Sequence, residues 1–227
     1  MPDNMTFLTI PVDWDVPGAY LEVDHTKAVQ GLPVMSKKTL IIGQRLASGT
    51  VPAGELTRVT REDDGARYFA EGSQLDQMIL AAIRKDPYTE THALALDDLA
   101  AGQAAKGTLT IGGEAGESVA LKIYIGGTAV SVGITAGDDG AAVATKIVTA
   151  VNANTRLAVS AAGAESVVTL TAKNKGAEGN NIDLRIGYYQ DEPRTVTGMT
   201  FTVAKMAGGS GNPDILDAIA AISDGSY

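Results

Sequence analysis

Val167–Ile186 reads VVTLTAKNKGAEGNNIDLRI. Val168, Leu170 and Ala172 alternate with polar neighbours, and so do Ile182, Leu184 and Ile186. Alternation with period two marks a strand with one buried face, because successive side chains leave a strand on opposite sides. Lys173–Asn181, between the two runs, is polar and holds two glycines and three asparagines. The stretch predicts two strands joined by a long turn, rigid or facing the surface. Exposed charges contribute little to stability, so alanine at Lys173 and Lys175 is expected to leave folding nearly intact.

The same pattern extends on both sides. Leu109 and Ile111 alternate; Val119, Leu121, Ile123 and Ile125 alternate, with Lys122 and Tyr124 on the opposite face. Val130, Val132 and Ile134 follow a Gly126-Gly127 turn, Leu157 and Val159 begin a short strand, and Met199, Phe201 and Val203 form the last. One helix interrupts the series, with Asp138 or Asp139 as its cap and Ala144, Ile147, Val148 and Val151 as its buried stripe. About seven strands and one helix over residues 106–205 predict an antiparallel β-sandwich or barrel-like domain.

Outside that stretch the pattern is different. Thr39–Gly43 (TLIIG) is a short continuous apolar run, as in a strand covered on both faces. Gln44–Arg61 reads as a connector. Ser73 is then placed as an N-cap with Asp76 three residues on, before the stripe Leu75, Ile79, Ala82 and Ile83, and Pro87 stops the helix. His92–Leu96 (HALAL) is a second strand, so the segment reads as a βαβ unit. After Gly208, Asn212 as N-cap, Pro213 at the first helical position and Ile215, Ile219 and Ile222 on one face predict a further helix of that layer. The fold class is therefore α+β: a partial α/β layer with an inserted mostly-β domain. The boundaries are 1–36 for an extended N-terminal arm, 37–105 and 206–227 for the incomplete α/β domain, and 106–205 for the insertion. The chain ends where an α/β layer needs its next strand, so it is expected to be a fragment of a longer protein.

Of the 227 residues, 44% are hydrophobic, which suits a globular chain, and none is cysteine, which removes disulfides and thiolate metal sites. The formal net charge is −9: residues 1–105 carry −6, residues 106–205 are neutral and residues 206–227 carry −3. Lys37-Lys38 and Arg84-Lys85 are pairs, not a basic stripe, so nucleic acid is not an expected partner. No apolar run reaches the ~20 residues of a membrane span, and the first residues lack the basic start and apolar core of a signal peptide. Synthesis in the cytoplasm, without membrane insertion, is expected.

Catalytic chemistry finds little support. His25 follows Asp24, but neighbours on an extended chain point apart. His92 lies in an apolar run. Asp97-Asp98 and Glu62-Asp63-Asp64 lack calcium-loop spacing and read as solvated turns and a helix cap. Gly208–Asn212 precedes a helix without the lysine of a phosphate loop, and Ile42-Gly43-Gln44 lacks dinucleotide-loop spacing; both read as hinges or turns. No catalytic, cofactor or metal residue is assigned, and no enzyme activity is expected. A carbohydrate- or surface-binding role for the β module remains the alternative reading, although its aromatics are few: Tyr124, Tyr188, Tyr189 and Phe201.

Six stretches in order resemble the tail sheath proteins of Mu-like contractile-tailed bacteriophages: IPVDWDVPGAYLEVDHTKA, TLIIGQRLASGTVPAGELTRVT, GSQLDQMILAAIRKDPYTETHALALDD, AAKGTLTIGG, TLTAKNKGAEGNNIDLRIGYY and AGGSGNPDILDAI. The resemblance spans nearly the whole chain and matches about the N-terminal half of such a protein. His25 stands where such arms commonly carry asparagine. The resemblance implies a structural subunit that polymerises around a tail tube and contracts to drive it through the host envelope. It implies a polymerising core built from the chain's ends with an outward domain inserted, and location in the virion tail. Its partners would be other sheath subunits, the tail tube and baseplate proteins. It also implies that the arm pairs as a strand with neighbouring subunits, for which Val12, Val16, Tyr20 and Leu21 are suited; Trp14, the single tryptophan, packs either on its own chain or on a neighbouring copy and is the fifth interface candidate. The isolated fragment is expected to be a monomer or weak oligomer.

Overall fold

The computed structural model describes residues 37–216 together with 218 and 219. The candidate arm residues Val12, Trp14, Val16, Tyr20 and Leu21, and also His25, lie outside them.

β1 (Lys38–Gln44) carries the TLIIG run. β2 (Leu56–Val59) follows, then α1 (Asp64–Phe69), α2 (Gln74–Lys85) and β3 (Glu90–Leu96). β1 and β3 run parallel, Lys38 opposite Glu90 through Gln44 opposite Leu96, with α2 as the crossover. β2 pairs antiparallel with the other side of β3, giving a three-stranded sheet in the order β1-β3-β2. The stretch expected to be a plain connector thus holds a strand. Its four residues, LTRV, are too few to show a period.

α2 starts where its sequence directs. The Ser73 hydroxyl accepts from the Asp76 amide at 3.1 Å, a cap whose loss typically costs about 1 kcal/mol. Asp76 reaches one residue past the usual capping-box partner and accepts from the Gly72 amide at 3.0 Å. Leu75, Ile79 and Ile83 are buried against Phe69, Ile41, Val59, Ala93 and Ala95. Gly43 permits this packing: a Cβ there would lie 3.1 Å from Met78 Sδ and 3.3 Å from Leu75 Cδ1. It is an interior strand residue beneath the helix, not the hinge or turn expected from its neighbours.

The β module contains seven strands: β4 (Lys106–Gly113), β5 (Val119–Ile125), β6 (Thr128–Ile134), β7 (Val159–Ala164), β8 (Val167–Ala172), β9 (Leu184–Ile186) and β10 (Met199–Ala207). All its pairings are antiparallel, in two sheets ordered β10-β4-β8-β7 and β6-β5-β9. α3 (Gly140–Ala153) is capped by Asp139, whose carboxylate accepts from the Ala142 amide at 2.7 Å. Its Val143, Ala144, Ile147 and Val151 face a core shared with both sheets. The α+β class and the antiparallel sandwich with one helix are what the alternation predicts.

The two strands expected in Val167–Ile186 are present, but they are not neighbours. β8 and β9 do not pair with each other: β8 lies between β4 and β7, while among the described residues β9 pairs only with β5. Lys173–Asn181, including a 3-10 turn at Ala177–Asn181, therefore crosses from one sheet to the other.

The segment after β10 also differs from its sequence reading. Asn212 is not a helix cap: its side-chain oxygen accepts from the Ala177 amide at 2.7 Å. Helical backbone begins at Leu216, whose amide donates to Asp214 at 2.9 Å. Ile215 and Ile219, the expected inward face, are 51% and 53% exposed, and Ala218 is buried instead.

Candidate functional site

Among the described residues, most buried apolar side chains fall into one cluster under α2 and another inside the β module, with no residue in common. Polar side chains join the two. Asp98, just after β3, accepts from the Gln44 side-chain amide at 2.8 Å, the Asn174 side-chain amide at 2.9 Å and the Lys175 backbone at 2.9 Å. Gln44 is 4% exposed and also donates to the Lys175 carbonyl at 2.9 Å. The Asn174 oxygen accepts from the Gln74 amide at the first turn of α2, at 2.8 Å. One short segment of the crossover thus contacts β1, α2 and the end of β3.

A cationic group lies beside this seam. Lys173 Nζ donates to the carbonyls of Glu71 at 3.2 Å and Thr155 at 2.5 Å, and burial holds its pKa below the usual lysine range. Arg156 meets Asp63 at 2.9 Å and lies 3.9 Å from the fully buried Asp76. Burial raises the Asp76 pKa despite the Gly72 amide and Arg156. Gly72 has φ +75°, and a Cβ on it would lie 2.4 Å from the Leu157 carbonyl and 2.5 Å from Lys173 Nζ. Lys173 is thus not the free surface charge its turn suggested: its ammonium is lodged between two loop carbonyls.

Farther on, paired backbone bonds between Gln103 and Ser210 tie together the segments entering and leaving the module. Gly209 and Asn180 exchange two further bonds at 2.8 and 2.9 Å. The Gly208–Asn212 loop is thus stitched to the crossover.

Residues weighed for chemistry take structural places. Asp97 pairs with Arg45 at 2.6 Å, and Glu62 with Arg84 at 2.9 Å. Asp64 is buried, which pushes its pKa up, but bonds from the Thr60 and Arg61 amides hold it below the usual range. His92 lies 3.8 Å from Glu90 on β3. Among the described residues no three His, Cys, Asp or Glu side chains converge as a metal site, and no helix is long and apolar enough to cross a membrane.

A second polar cluster lies at the open edge of the sandwich. Glu192, 6% exposed, accepts from Tyr124 Oη at 2.7 Å, Lys122 Nζ at 3.0 Å, and the Tyr188 and Tyr189 amides at 2.9 and 3.1 Å. Burial pushes its carboxyl up, but these four donors outweigh burial and bring its pKa down to about 2. The bond to Glu192 pushes the Tyr124 phenol up to about 12. Beside this latch, Arg185, Ile186, Gly187, Tyr188, Arg194, Phe201 and Val203 line a groove of about 470 Å³. Glu192 carries no local signal of this role, because residues 122, 124, 188 and 192 meet only once β5 and β9 pair.

The latch has a pH consequence. Its folded pKa lies below the ordinary 4.5, so its stabilisation is complete above that ordinary value and fades as pH falls through the folded one. Acid titration followed by NMR should release the Tyr188 and Tyr189 ring signals between about pH 4.5 and 2. Glu192→Gln should abolish that transition; an unchanged transition in the variant would show that another carboxylate controls the loop.

No family model matches the chain. By sequence it is 35% identical over 216 residues to the Mu-like prophage FluMu tail sheath protein of Haemophilus influenzae, a match covering 95% of this chain and 44% of that protein. The chain thus spans less than half the length of this curated relative. Two solved structures are similar at low overall superposition. The flagellar cap protein FliD D2-D3 domains from Escherichia coli share 21% identity over 48% of this chain and 64% of that one, at a TM-score of 0.27. The sheath tail protein Lin1278 from Listeria innocua shares 13% identity over 84% of this chain and 38% of that one, at a TM-score of 0.24. Over 95% of its length, then, the chain is homologous to a tail sheath protein of a Mu-like prophage.

Proposed function

We propose that this chain is a structural subunit of a contractile phage tail sheath, polymerising around a tail tube and contracting to drive it through the host envelope. The observation that carries this is the 35% identity to a tail sheath protein across nearly the whole chain. In this reading residues 37–105 and 206–227 belong to the polymerising core, and residues 106–205 form a domain inserted into it. The separate apolar clusters and their polar seam suit such an insertion. β1 has an edge without a strand partner among the described residues, and such edges accept added strands. An arm carrying Val12, Trp14, Val16, Tyr20 and Leu21 would supply such a strand between neighbouring subunits. Tube and baseplate proteins would be the other partners, and the role is mechanical, without catalysis.

Immunogold labelling of particles induced from a strain encoding this chain tests the assignment. Antibodies raised against residues 106–205 should decorate the tail along its whole length, in extended and contracted particles alike. Label confined to another part of the particle, or to non-particulate protein, would overturn it.

A further inference from the structure

All four aromatic residues of positions 106–205 converge at one place. The rings of Tyr124, Tyr188 and Tyr189 lie 5.1 to 6.2 Å apart, and Phe201 lines the adjoining groove. Tyr124 is buried, whereas Tyr188 and Tyr189 are 53% and 58% exposed. Their rings meet at 85°, forming a corner and not a flat patch. The Glu192 latch holds both of their amides, so the corner is fixed before any ligand arrives.

Two guanidinium groups border the corner. Arg185 stacks 5.7 Å from the Tyr188 ring centre and pairs with Asp183. Arg194 makes one bond among the described residues, 3.4 Å to the Tyr188 carbonyl, which leaves most of its donor fork open. The half-buried Phe201 and Val203 supply apolar lining. The groove's volume lies within the range of small-ligand sites. A nucleic acid is disfavoured because the chain carries −9 and has no basic stripe.

We propose that this groove binds a carboxylated saccharide. A pyranose ring presents an apolar C–H face to Tyr188 and Tyr189. A carboxylate on the ring engages Arg194 and Arg185, the side chains suited to bidentate recognition of such a group. This site is independent of tail assembly: it rests on the groove alone and stands or falls whether or not the chain is a sheath subunit.

Calorimetric titration of the chain with tri-galacturonate, maltotriose and acetate is the test. Tri-galacturonate should bind saturably, at least about tenfold more tightly than either the neutral trisaccharide or the ring-free carboxylate. Tyr188→Ala with Tyr189→Ala, and separately Arg185→Ala with Arg194→Ala, should each weaken binding at least about tenfold while leaving the circular dichroism spectrum intact. A second pair, Tyr188→Phe with Tyr189→Phe, keeps the rings and should retain most of the affinity. Absence of saturable binding at about 10 mM tri-galacturonate, a far weaker level than ordinary small-ligand sites, would overturn the proposal. So would equal affinity for maltotriose or acetate. Concentration-dependent self-association that the alanine variants abolish, without saccharide binding, would instead make the groove a contact between copies.

Discussion

Asp98→Ala should lower the unfolding free energy by about 3 kcal/mol at neutral pH, from the usual value of hydrogen bonds to a charged group. The carboxylate accepts from Gln44, Asn174 and Lys175, donors on β1 and on the crossover. Such bonds are each worth about 1.5–3 kcal/mol when well shielded. Asp98 is only half-buried, so water replaces part of what is lost. Gln44 is the exception, because at 4% exposure its freed amide hydrogen is poorly reached by solvent. Asp98→Asn keeps one acceptor oxygen and should cost about half as much. Urea titration followed by circular dichroism gives both values. A loss below about 1 kcal/mol for alanine, the range of exposed polar contacts, would show that the seam is wet and does not join the layers.

The elements of this fold were largely legible in the sequence; the seam was not. β4, β6 and β8 show clean alternation because each buries one face on a single core, whereas β5 also buries Tyr124 on its opposite face. α2 and α3 carry their own start signals, Ser73 and Asp139, which act over three residues. β2 was hidden because its position is set by pairing with β3 and not by its own pattern. Asp98 and Asn174 are 76 residues apart, and a polar residue in a turn looks the same in sequence whether it meets water or an amide. The crossover misled for a related reason. β8 and β9 carry the alternation of a hairpin, yet period two says only that a face is buried, not which strand lies alongside. The Tyr–Glu192 groove was legible only as a composition, four aromatics and some charges, since its members converge through sheet pairing.

Phe69→Ala should loosen the α/β layer and leave the β module folded. Phe69 is fully buried at the end of α1 and packs in the cluster beneath α2. Truncating such a ring costs about 3–5 kcal/mol. That cluster contains eight buried residues among those described, against twenty-three in the β module. A layer so small has little reserve, so a loss of this size approaches its whole margin. Amide hydrogen exchange in α2 and β3 should therefore accelerate more than about a hundredfold, the equivalent of about 3 kcal/mol. Exchange in α3, β4 and β8 should change less than about tenfold. The reverse substitution is asymmetric. Ile147→Ala, at 1% exposure on α3, should cost about 2–5 kcal/mol and accelerate exchange in both layers. The reason is that Asp98, Gln44 and Gln74 lose their crossover partners once the module opens. Uniform acceleration across all elements in Phe69→Ala would instead mean that the two cores unfold as one unit, with the polar seam as strong a coupling as shared apolar packing.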